Sequence, residues 1–159
     1  AYEHVGPVYM RFGRLALPVI NDPDTYKFEL GKGVELKSGK DITIVATGLC
    51  VSESLKAAEM LKEAGVDAQV INIHTIKPID EDIIINAAKR TGRIFTVEEH
   101  SIIGGLGSAV MEVLSEKYPT KVTRIGVNDT YGCSGPAKEL LHVFGLDAEG
   151  IAAKIKENL

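Results

Sequence analysis

From Lys40 onward the apolar positions alternate between two rhythms, one of period two and one of spacings three and four. Residues 41–47 form a short apolar run that predicts a strand, ended by Gly48. Val51, Leu55, Ala58, Met60, Leu61 and Ala64 then recur at helical spacing and predict a helix over 51–64, with Ser52 as its candidate cap. Gly65 stops that helix in a left-handed conformation, and residues 67–73 alternate as a second strand. Pro78 and Asp80 introduce a helix over 81–91 closed by Gly92. Further strands follow at 94–98 and 121–127, and further helices at 107–117, 137–144 and 148–158, the last opened by Asp147.

Strand, helix, strand repeated with short connections predicts right-handed crossovers and a mostly parallel sheet covered on both faces. The fold class is α/β, a three-layer α/β/α arrangement around an open sheet.

Before Lys40 the pattern is different. Residues 6–12, Gly-Pro-Val-Tyr-Met-Arg-Phe, have the aromatic and β-branched character of a strand, and the run containing Pro18, Asn21, Asp22, Pro23 and Asp24 reads as a linker. This divides the chain into a strand and linker at 1–24 and a domain at 25–159. The chain opens on Ala rather than Met, which suggests a piece of something longer.

Composition narrows the function classes. A net charge of −4 and a pI near 5.6, without a dense Lys/Arg cluster, argue against a nucleic-acid partner. The longest apolar runs fall far short of the roughly 20 residues of a membrane span, so no membrane association is expected. Cys50 and Cys133 are far apart and form no CxxC, which suggests neither disulfide nor zinc and fits a reducing cytoplasm.

The candidate chemistry gathers where strands end. Glu98-Glu99-His100 closes the strand at 94–98, at the edge where open α/β sheets hold ligands, and joins two carboxylates to a group titrating near neutrality. The alternatives are acid/base machinery, or a strand-end Glu pairing with a helix terminus beside a His that only bonds the next loop. That loop, Gly104-Gly105-Leu106-Gly107-Ser108, lies where a dinucleotide fingerprint belongs, but Val110 occupies the third glycine position. A tight turn offering helix-terminal N–H groups to an anion or a carboxylate, or an interface, is favoured. His74 ends the strand at 67–73 on the same edge; a metal site with His100 and Glu99 is compatible with that placement, but the spacing does not require one. Thr75 or Asp80 serves as a helix cap. Arg11 and Arg14 straddle Gly13, where a guanidinium can clamp a phosphate or remain a solvated surface group. Cys133, in the turn 131–136, is read as a turn residue rather than an activated thiol.

In order, Gly6-Pro7 with Arg14 and Pro18, residues 41–48, Thr75-Ile76-Lys77-Pro78-Ile79-Asp80, Val97-Glu98-Glu99-His100 with Gly104 to Ser108, and Gly132-Cys133-Ser134-Gly135 resemble the C-terminal end of transketolase. The resemblance spans nearly the whole chain. It implies that the first residues end a pyrimidine-binding domain and that the remainder is the family's third domain. It further implies an enzyme moving a two-carbon ketol unit between sugar phosphates, with thiamine diphosphate and magnesium held by an N-terminal portion or subunit outside this chain. None of that cofactor is expected to bind this chain alone. Arg14, and less firmly Arg11, match substrate-phosphate contacts, and a homo-oligomer is implied. No catalytic role is carried to His100 or the glycine loop. The alternatives are a stand-alone anion- or protein-binding module, or the equivalent domain of a deoxyxylulose phosphate synthase or a 2-oxoacid dehydrogenase beta subunit.

Overall fold

The strand runs beyond residue 33 assemble into a single sheet, whose central strands offer apolar side chains to both faces. In the computed structural model, which describes residues 2–13 and 16–159, the strands are β1 (Val34–Lys37), β2 (Ile42–Ala46), β3 (Ala68–Asn72), β4 (Arg93–Ser101) and β5 (Lys121–Val127). Their order is β1-β3-β2-β4-β5. The β3, β2, β4 and β5 neighbours pair in parallel, and β1 pairs antiparallel to β3. The helices are α1 (Cys50–Glu63), α2 (Glu81–Thr91), α3 (Leu106–Lys117), α4 (Ala137–Val143) and α5 (Ala148–Glu157).

Alternation along the strands builds two cores. Ile42, Ile44 and Ala46 of β2, with Val70, Phe95 and Val97, meet Leu61 of α1 and Ile151 and Ile155 of α5 on one face. Val45, Ile71, Ile73 and Ile94 meet Ile84 of α2 and Leu106, Val110 and Leu114 of α3 on the other. Both faces are covered, so the sheet is the middle of three layers. Each fully buried Ile, Leu or Phe contributes about 1.5–3 kcal/mol relative to exposure. None of the helices is long and apolar enough to cross a membrane.

Asp80 caps α2 by accepting from the Ile83 N–H at 3.3 Å, and its other oxygen takes the Gly33 N–H at 3.0 Å, which ties the approach to β1 onto α2. Asp147 caps α5 through the Gly150 N–H at 2.9 Å. Gly65, Gly92 and Gly145 follow their helices with φ of 82°, 65° and 63°.

Three sequence expectations are corrected, and one strand is added. Residues 6–12 are extended but pair with no strand among the described residues, and Tyr9 and Phe12 stay 91% and 80% exposed; a lone strand has no way to satisfy its backbone or bury a face. The antiparallel edge strand β1 was not expected, since Val-Glu-Leu-Lys is short and half charged. Ser52 does not cap α1: it lies a full turn inside and donates to the Leu49 carbonyl at 3.1 Å. Met60 stands off the buried face of α1, which is instead completed by Cys50, Ser54 and Ala57.

Candidate functional site at the carboxyl edge of the sheet

The chain leaves β2 in one direction, to β3, and reaches β4 on the other side of β2, so the strand order reverses between β2 and β4. Crevices at such reversals are the usual ligand sites of open α/β sheets. Here the crevice is a groove of about 330 Å³. Its walls are Thr47, Gly48 and Leu49 after β2, Ile76 after β3, Glu98, Glu99 and His100 at the end of β4, and Gly104 and Gly105. Five of the seven residues named from sequence at this edge therefore converge. Gly107 and Ser108 lie behind the wall: Gly107 is buried in α3, and the Ser108 hydroxyl accepts the Gly104 N–H at 2.9 Å.

The end of β4 is aimed by an irregularity. Register with β5 slips between Val97 and Ser101, and the facing residue of β5 is Gly126, where a Cβ would lie 2.8 Å from the His100 carbonyl oxygen. The slip turns Glu98 inward and leaves Glu99 and His100 exposed. A glycine inside a strand was the sequence signal for this feature.

Glu98 is 2% exposed, and its two oxygens accept the Leu106 N–H at 2.8 Å and the Gly107 N–H at 2.9 Å. A carboxylate thus sits on the positive end of α3 and satisfies two of its orphan donors. Gly105 makes room for it, and Gly107 lets α3 approach β4 and β5. A Cβ on Gly105 would fall 2.0 Å from Glu98 Oε2, and one on Gly107 would meet Arg124 Cγ at 2.7 Å and Thr96 Oγ1 at 2.8 Å. Arg124 lays its stem against α3 and donates from Nη1 to the Ile102 carbonyl at 2.8 Å, which pins the loop over the groove. Of the two alternatives for Glu98, the structure shows the pairing with a helix terminus.

Burial, with the charges of Glu99, Glu53 and Glu98 added, pushes the Cys50 thiol beneath the groove up to about 12.

The other candidates do not join this group. His74 bonds Thr75 Oγ1 through Nδ1 at 2.9 Å and packs on Phe28 with ring centroids 4.8 Å apart, and among the described residues it forms no ligand cluster with His100 and Glu99. Arg11 is exposed in the N-terminal segment and does not line the groove. Arg14 lies outside the described residues. Cys133 is an exposed free thiol in the turn before α4.

The molecule is a doubly wound α/β domain whose glycine loop is filled by its own carboxylate, with its groove at the strand-order reversal. The sequence profile described as "Transketolase, C-terminal domain" matches residues 31–151, and the chain belongs to that family.

A subunit of the apulose-4-phosphate transketolase of Phocaeicola vulgatus is 46% identical over 149 residues, 94% of this chain and 47% of that protein. The "6-deoxy-6-sulfo-D-fructose transketolase subunit SqwH" of Clostridium sp. (strain MSTE9) is 44% identical over 155 residues, 97% of this chain and 48% of that one. A solved structure described as "Split gene transketolase, inactive beta4 tetramer" superposes with a TM-score of 0.86 at 46% identity, over 91% of this chain and 47% of that one. The chain spans about half the length of these relatives.

Proposed function

We propose that this chain is the C-terminal portion of a transketolase that transfers a two-carbon ketol unit from a ketose phosphate to an aldose phosphate in the cytoplasm. The observation that carries the proposal is the pair of transketolase subunits matched along nearly this whole chain but only half of their own length. In this reading the chain supplies interface surface and substrate-phosphate contacts, while thiamine diphosphate and magnesium are held by an N-terminal portion or subunit.

The described residues do not fit a pyrophosphate–magnesium group. The N–H groups of Leu106 and Gly107 at the start of α3, the natural cradle for a phosphate, already hold Glu98. Glu99 and Glu53 add negative charge at the start of α1. No step of the reaction is therefore assigned to these residues. Glu99, His100, Gly104 and Gly105 are proposed as contact surface for the rest of the enzyme.

Arg14, with Arg11, is proposed to hold the substrate phosphate, because a guanidinium just before the linker pairs bidentately with such a group. Residues 1–24 are proposed as the end of the preceding domain and its linker. Self-association is proposed as well, supported by the tetramer of the split-gene relative and by the bare Tyr9 and Phe12.

Light scattering on an equimolar mixture with an N-terminal transketolase portion tests the proposal. A complex at micromolar concentration supports it. Failure of the two portions to associate at any accessible concentration argues for the binding-module alternative.

A further inference from the structure

The region before α5 is held differently from the rest of the molecule. No residue of the seven-residue α4 is fully buried, and every residue from 128 to 139 is exposed. Leu141 and Phe144 are partly buried against the core, and the fully buried anchor of this region, Leu146, lies beyond α4 rather than on it. Open volume flanks α4 on both sides: about 470 Å³ toward Leu17 and Pro18, and about 240 Å³ between Leu140, Phe144 and Val127. With so little apolar area beneath it, α4 depends on polar ties.

Among the described residues one α4 side chain makes such a tie. His142 Nδ1 lies 2.6 Å from Asp147 Oδ2. Asp147 cannot turn away, because its other oxygen caps α5 through the Gly150 N–H at 2.9 Å. One carboxylate therefore fixes the start of α5 and the end of α4 together. The remaining side-chain tie, Lys154 Nζ to the Phe144 carbonyl at 3.0 Å, comes from α5, where burial holds the Lys154 ammonium below its ordinary value against the opposing charge of Glu157, so the His142 and Asp147 variants are what single out the latch.

We propose that α4 is a proton-latched flap, held down on α5 while His142 is protonated and loosened when that proton leaves. Leu141, Lys138 and Asp147 form the wall of the larger groove opposite Leu17 and Pro18, so the position of the flap sets the seat of the linker.

The charges around the latch agree on its direction. Asp147 and Glu149 of α5 both favour the protonated imidazole, the hydrogen bond to Asp147 most strongly, and hold His142 above its ordinary value. Burial works against the Asp147 carboxylate, but the Gly150 and His142 bonds outweigh it and hold Asp147 below its ordinary value. From α1, Glu53 accepts the Ala148 N–H at 3.1 Å and is paired with Lys56, so the two nearly cancel. Lys138 and Glu139, one turn back on α4, likewise offset each other. A raised histidine contributes its full hold below the unfolded value near 6.5 and loses it as pH rises through the folded value.

Hydrogen–deuterium exchange of peptides covering residues 137–145, corrected for intrinsic rates, reads the latch directly. In the unmodified chain protection should fall roughly two- to fivefold between pH 6 and pH 9, the scale of an exposed ion pair, while peptides of α1 and β4 do not change. His142→Gln should show the loosened level at both pH values. Asp147→Asn should behave the same way, because asparagine still caps α5 but carries no charge. Protection independent of pH in the unmodified chain, or an unaltered pH response in either variant, overturns the proposal. The outcome does not depend on whether the chain belongs to a transketolase.

Discussion

Glu98 and Gly107 are joined across the turn from β4 to α3: Oε1 of the buried carboxylate accepts the Gly107 N–H at 2.9 Å. With the Leu106 bond to Oε2, this uses inside the fold the donors that make glycine-rich helix starts attractive to phosphates.

Glu98→Ala strips the start of α3 of both partners and should cost about 2–4 kcal/mol, since two buried donors lose charge-assisted bonds. Glu98→Gln keeps one acceptor and should cost about half as much. Urea unfolding measures both. A loss under about 1 kcal/mol for the alanine variant would mean that water replaces the carboxylate freely.

Gly105→Ala should do its damage through the same carboxylate, because the new Cβ would sit 2.0 Å from Glu98 Oε2. Overpacking of this kind costs about 1–3 kcal/mol. In the Glu98→Ala background the obstacle is gone, so the added cost of Gly105→Ala should shrink to a few tenths of a kcal/mol. Strict additivity in that double-mutant cycle contradicts the geometry.

Cys50 should be inert in the folded protein. Burial, and then the charges of Glu99, Glu53 and Glu98, raise its thiol to about 12, whereas Cys133 is exposed. Iodoacetamide at pH 8, followed by intact mass, should add one label to the folded chain and two to the unfolded one. The sign of the linkage follows: this raised acid stabilises the fold below its unfolded value of 9.0 and loses that contribution as pH rises toward 12. Fast labelling of Cys50 under native conditions would show that the α1 start opens readily.

Much of this was readable in the chain, and the exceptions have physical causes. The parallel strands and their helices follow from apolar runs punctuated by glycines: Gly65 has the positive φ expected of it, and Gly92 and Gly145 have it too. Asp80 and Asp147 cap the helices their positions indicated. β1 escaped because its partner β3 lies more than 30 residues on and sequence patterns carry little about non-local antiparallel edges. The aromatic run at 6–12 looked like a strand because propensity is local, whereas a strand exists only where a partner accepts its backbone. At the site, the cluster at the end of β4 was visible, but which carboxylate turns inward was not. That depends on the register slip opposite Gly126, a three-dimensional event between two strands.

Arg14→Ala in a complete enzyme should weaken phosphorylated substrates by about 1.5–3 kcal/mol, roughly ten- to a hundredfold in apparent affinity. Unphosphorylated donors should lose almost nothing. Steady-state kinetics on both kinds of donor separate the cases, and an equal loss for both, with circular dichroism unchanged, would assign Arg14 a structural role.

If the chain completes a transketolase rather than acting alone, complementation restores the reaction. Ketol transfer from a ketose phosphate to an aldose phosphate is measured with thiamine diphosphate and magnesium for this chain, for an N-terminal transketolase portion, and for the two together. Turnover is expected in the mixture and in neither part alone. Turnover by this chain alone, or a stable complex of the two portions that remains inactive, would contradict it.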